Sequence, residues 1–73
     1  MRLLVVDDHI PTRQEIVREL RTGGVIDVVG EADTSDQALK AAKDLLPDVI
    51  LLDLHLPGLI GTVDLIKRTA RIA

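Results

Sequence analysis

Seventy-three residues hold one small domain, and the absence of cysteine excludes a disulfide framework and every thiolate metal site. A hydrophobic content of 47% beside 29% charged residues is a globular composition rather than a disordered one. No residue is Phe, Trp or Tyr and the net charge is −3, which removes aromatic base-stacking platforms and argues against direct nucleic-acid binding.

The first apolar run, Leu3-Leu4-Val5-Val6, is continuous rather than alternating and closes on Asp7-Asp8. A strand of this kind has to be covered on both faces. Pro11 fits a first helical turn, Ile16, Val17 and Leu20 share one stripe, and Gly23-Gly24 ends that helix. Val25 to Val29 reads as a second strand, interrupted only by Asp27 and followed by Gly30, and is expected at an edge of the sheet. Thr34 and Gln37 have the spacing of a capping box at the start of a second helix. Ala38, Leu39, Ala41, Ala42, Leu45 and Leu46 give that helix a broad apolar face, and Pro47 stops it. Val49-Ile50-Leu51-Leu52 is a third strand, again apolar on both faces, and it ends in Asp53. Leu54 to Gly61 is a loop turning at Pro57-Gly58. A last helix is expected to turn Val63, Leu65, Ile66 and Ala70 inward and Lys67, Arg68 and Arg71 to solvent.

The order β-α-β-α-β-α with short connections implies a parallel sheet with right-handed crossovers. The longest apolar runs fall far short of a bilayer span, and no basic region followed by a long apolar segment opens the chain. A cytoplasmic protein without a membrane association is expected.

Two strands end in the same way, four bulky aliphatics and then acid. In a parallel sheet the carboxyl ends of all strands share one rim. If the first and third strands are neighbours, Asp7, Asp8 and Asp53 converge where α/β sheets place their ligands. Three carboxylates a few ångströms apart repel one another, and a hard divalent cation relieves the repulsion; Mg²⁺ suits one or two carboxylates, a backbone carbonyl and several waters. Such an ion can orient a phosphoryl donor toward a carboxylate nucleophile. The alternative for any one acid is capping of the next helix, which Asp8 is placed to do. His9 and His55 each lack a second histidine at ligand spacing and read as exposed loop side chains. Ser35, the only serine, sits at a helix start and offers no hydrolytic triad, and no glycine-rich phosphate loop follows the first strand.

Leu4-Val5-Val6-Asp7-Asp8-His9 together with Asp48-Val49-Ile50-Leu51-Leu52-Asp53-Leu54-His55-Leu56-Pro57-Gly58 resembles the CheY-like receiver domain of bacterial two-component response regulators. Val28-Val29-Gly30-Glu31-Ala32 adds a likeness to receivers that precede a helix-turn-helix DNA-binding domain. The resemblance implies a three-layer α/β/α, flavodoxin-like sheet of strand order 2-1-3 and a partial receiver domain over residues 1–73. It implies phosphoryl acceptance on Asp53 from a sensor histidine kinase or a small phosphodonor. Asp8 and Asp53 would be direct Mg²⁺ ligands, Asp7 would act through a metal-bound water, and the main-chain carbonyl of His55 would be a further ligand. The module would modify itself rather than turn over a substrate as an enzyme.

A complete receiver has five βα units, and three are matched here. The Ser or Thr and the Lys that bind the phosphoryl oxygens in the family belong to the fourth and fifth strands, so phosphotransfer is expected to be impaired. A phosphorylation-independent dimerisation module and a piece of a longer regulator are the competing expectations. Size scaling for a chain of this length puts roughly 4300 Å² of apolar surface in the interior, which contributes about 110 kcal/mol. Ordering the chain costs about the same. A homodimer through the third strand, or by domain swapping, would supply the missing stabilisation.

Overall fold

The computed structural model describes residues 1–72, the side chains of the last two excepted. Three strands, β1 (Arg2–Val6), β2 (Asp27–Ala32) and β3 (Val49–Leu52), alternate with three helices, α1 (Ile10–Thr22), α2 (Ser35–Leu45) and α3 (Thr62–Ile72). The sheet is parallel with order β2-β1-β3, as expected.

β1 is central, and its unbroken apolar run follows from that position. Successive side chains point to opposite faces. Leu4 and Val6 pack with Ala32, Ala38, Leu39, Ala42 and Leu65 beneath α2 and α3, while Leu3 and Val5 pack with Val17 and Val28 beneath α1. Each of the four is at most 4% exposed.

The expected boundaries of β2 need correction. The strand starts at Asp27 and runs through Gly30 to Ala32, and Val25 is left 78% exposed. β2 opposes β1 with one extra residue, the register shifting between Leu3 and Leu4, so that Leu3 faces Val28 and Leu4 faces Gly30. Gly30 is inside the strand because α2 lies close: a Cβ there would come within 2.6 Å of Leu45 Cδ1. Gly30 marks a close approach inside the strand rather than its end.

His9, not Asp8, caps α1, its Nδ1 accepting from the Thr12 amide at 3.3 Å. Thr34 caps α2 through the Gln37 amide at 3.2 Å. The Gln37 side chain reaches back to the Asp33 amide, one residue before the cap. Leu46 does not belong to the apolar face of α2. It is the left-handed C-cap (φ 48°) and 61% exposed.

Two expectations for faces also fail, for one reason. α1 covers β1 and β2, and α3 contacts α2, so part of the apolar surface is left without a neighbour. On β3, Ile50 and Leu52 join the core while Val49 and Leu51, on the α1 side, stay 43% and 45% exposed. On α3, Leu65 is buried, but Val63, Ile66 and Ala70 are exposed, and Ile66 and Ala70 border an open groove with Ala42 and Ile50. Lys67 and Arg68 face solvent as expected; the outward placement of the Arg71 side chain lies outside the described residues.

Candidate functional site

The register of the sheet places the acids. The β ladder continues one step past each strand: the Asp7 amide donates to the Ala32 carbonyl at 3.0 Å, and the Asp53 amide donates to the Val6 carbonyl at 2.9 Å. Asp7 and Asp53 therefore emerge side by side at the carboxyl ends of β1 and β3, and Asp8 follows directly. One carboxylate oxygen from each of Asp7, Asp8 and Asp53 lies within 4.8 Å of the others. Asp7 and Asp53 are partly buried and Asp8 is exposed. A cleft lined by Ile16, Leu51 and Leu52 opens beside Asp7 and Asp53.

The two strand ends are built alike. Asp7 Oδ1 accepts from the His9 amide at 2.9 Å, and Asp53 Oδ1 accepts from the His55 amide at 3.1 Å. Each acid thus spends one oxygen on its own loop and leaves the other without an intramolecular partner among the described residues. The Asp8 carboxylate takes no hydrogen bond at all among those residues, so capping does not account for it. Three carboxylates, converging with free oxygens and, among the described residues, no cationic side chain on them, form a hard-oxygen donor set that suits Mg²⁺.

The loop after β3 is clamped to α2. The Ser35 amide donates to the Pro57 carbonyl at 2.9 Å, and Ser35 Oγ accepts from the Ile60 amide at 3.2 Å. Thr62 Oγ1 donates to the Leu54 carbonyl at 3.0 Å and closes the loop from the other side. Ser35 is fully buried, so its hydroxyl is a structural group of the loop that carries His55. The His9 ring is held by Thr12, and both His9 and His55 are exposed.

Sequence reasoning missed two further residues at this rim. Arg13 Nη1 donates to the Asp7 main-chain carbonyl at 2.8 Å, and its Nε pairs with Glu31 Oε1 at 3.0 Å. No spacing rule announces a contact between a helix residue, a strand end and a neighbouring strand. Away from the rim, Lys40 donates to Asp44 Oδ2 at 2.7 Å on the exposed side of α2, and that bond, with the charge behind it, raises the lysine pKa. Among the described residues no helix is long and apolar enough to cross a membrane.

A family model described as the response regulator receiver domain matches residues 3–72. The response regulator GacA of Pseudomonas viridiflava is 46% identical over 61 residues, covering 84% of this chain and 28% of that protein. The probable transcriptional regulatory protein NarL of Mycobacterium tuberculosis H37Rv is 48% identical over 61 residues, with the same coverage. The solved signal receiver domain of the putative response regulator NarL from Mycobacterium tuberculosis superposes with a TM-score of 0.81 at 44% identity, over 88% of this chain and 51% of that one. The signal receiver domain of a modulated diguanylate cyclase from Desulfovibrio desulfuricans G20 gives 0.86 at 31% identity, over 96% and 55%. The chain spans 28% of the length of these curated relatives and about half of the solved receiver chains.

Proposed function

This chain belongs to the response regulator receiver domain family, and we propose that it serves as a cytoplasmic two-component signalling module that accepts a phosphoryl group on Asp53. The donor is a sensor histidine kinase or a small phosphodonor. The observation that carries this reading is the convergence of Asp7, Asp8 and Asp53 within 4.8 Å on the carboxyl rim of the sheet.

In this reading Asp8 and Asp53 would hold the ion directly, Asp7 would act through a water, and the His55 carbonyl would complete the protein's share. Bound Mg²⁺ supplies neutralisation of the charge on the incoming phosphoryl oxygens. Asp53 Oδ1 accepts from the His55 amide, which fixes the carboxylate plane; one carboxylate oxygen would bind the ion and the other would attack phosphorus. The new P–O bond forms on Asp53 as the donor's bond to phosphorus breaks and its leaving group takes the electron pair. Among the described residues no serine, threonine or lysine side chain is hydrogen-bonded to the three acids. In this reading the described residues offer no counterpart of the family's Ser or Thr and Lys, and transfer by them alone is impaired.

Metal linkage tests the site. Mg²⁺ at about ten times its dissociation constant stabilises the folded chain by about 1.4 kcal/mol. That raises the melting temperature by roughly 5 to 10 °C, followed by far-UV circular dichroism because the chain has no aromatic chromophore. Asp53→Asn should lose the Mg²⁺-dependent shift. A melting temperature indifferent to millimolar Mg²⁺ would contradict the site.

A second reading, a phosphorylation-independent dimerisation module, is favoured by β3. Among the described residues the strand is hydrogen-bonded to β1 alone; it contains neither charge nor proline, and Val49 and Leu51 are exposed beside its other edge. A second copy pairing β3 against β3 across a two-fold axis would continue the sheet and cover both side chains. Sedimentation should then find a dimer at micromolar concentration that Leu51→Lys converts to monomer. A folded wild-type monomer at that concentration would remove this reading.

A further inference from the structure

We infer that Arg13 is a positioning residue for the acidic rim, an inference that rests on the reading of that rim as a divalent-cation site. Asp8 is the acid with no hydrogen bond on its carboxylate among the described residues, so the direction of its side chain is set by the backbone alone. The carbonyl that Arg13 Nη1 holds at 2.8 Å is that of Asp7, and it belongs to the planar peptide unit joining Asp7 to Asp8. Holding that oxygen fixes the plane from which Asp8 projects.

The other fixed points of the turn lie elsewhere. The Asp7 amide is tied to the Ala32 carbonyl, and Asp7 Oδ1 is tied to the His9 amide. Without Arg13 the Asp7–Asp8 peptide has no described partner for its carbonyl. The guanidinium is well placed to hold it: its side chain is 15% exposed, and its Nε is locked by Glu31 on β2. Two donors of one rigid fork thus join α1, the end of β1 and β2.

Glu31 also settles the charge. A bare guanidinium next to a cation site would oppose metal binding, and the carboxylate at 3.0 Å offsets it. The two possible roles of Arg13 therefore have opposite signs. A positioning role makes Arg13→Gln bind metal more weakly, whereas an electrostatic role alone makes it bind more tightly.

The test uses Mn²⁺ as the probe on the full chain, with free Mn²⁺ read by electron paramagnetic resonance. Measurements are made at a temperature where circular dichroism shows each variant folded. Arg13→Gln should weaken Mn²⁺ binding about tenfold, as removal of a ligand's supporting hydrogen bond commonly does. Arg13→Lys, which keeps the charge and one donor, should fall between it and wild type. Glu31→Gln, at a more exposed position, provides a variant that retains the arginine: it should also weaken binding, by loosening the fork and leaving its charge uncompensated. Wild-type affinity or better in Arg13→Gln, or a lowered melting temperature with affinity unchanged, would overturn the positioning role and leave the metal site standing. Absence of saturable Mn²⁺ binding by the wild type would overturn the metal site, and the positioning role with it.

Discussion

Asp53→Asn abolishes phosphoryl incorporation while leaving the fold in place. The substitution preserves the shape of the side chain and the acceptor that holds the His55 amide, but an amide is not a nucleophile at phosphorus. Intact mass after incubation with an acyl phosphate and Mg²⁺ should show no gain of a phosphoryl group in this variant. The metal-free variant should also be more stable than wild type. Like charges within 4.8 Å of one another repel by about 1 kcal/mol or more per pair in a water-like medium, and Asp53 has two such neighbours. A variant that still gains a phosphoryl group would move the acceptor away from Asp53.

Gly58→Ala has the largest expected effect on stability, a loss of about 3 kcal/mol. Gly58 sits at φ 135°, where side chains are strained by roughly 1–3 kcal/mol. A Cβ there would also run into Ser35 Oγ and come within 2.9 Å of the Ser35 amide nitrogen, contacts that overpack the clamp by about 1–3 kcal/mol more. For a chain of this length the melting temperature should fall by roughly 12 to 24 °C. Gly61→Ala, three residues on, is the control: a Cβ there meets nothing within 4 Å, and a change of a few degrees at most is expected. Equal effects of the two would show that the contact between Gly58 and Ser35 does not hold the loop.

The contrast between these two glycines illustrates what could be read from the chain. β1 was legible because a strand buried on two faces needs a continuous apolar run; β3 carries the same run although its Val49 and Leu51 stay exposed, and the acid ending each run marks the rim. Convergence of Asp7, Asp8 and Asp53 follows from a parallel sheet only once the first and third strands are neighbours, as the order β2-β1-β3 makes them. Gly30 misled because a glycine that admits Leu45 looks, in sequence, like one that ends a strand. Val63 and Ile66 misled because an apolar residue signals burial only when a neighbouring element arrives, and α3 has α2 on one side only. Arg13 and Ser35 could not have been found by spacing. Ser35 acts through backbone groups of a loop remote in sequence, and Arg13 through the Asp7 carbonyl and the Glu31 side chain; those meetings are made by the packing of the helices on the sheet.

The most direct test of the acidic rim as a phosphoryl acceptor is intact-mass measurement of the wild-type chain after exposure to an acyl phosphate, with and without Mg²⁺, followed by fragmentation to locate the modification. The expected result is a partial gain of a single phosphoryl group, dependent on Mg²⁺ and borne by Asp53. No gain in the presence of Mg²⁺, an equal gain without it, or modification at another residue would contradict the account.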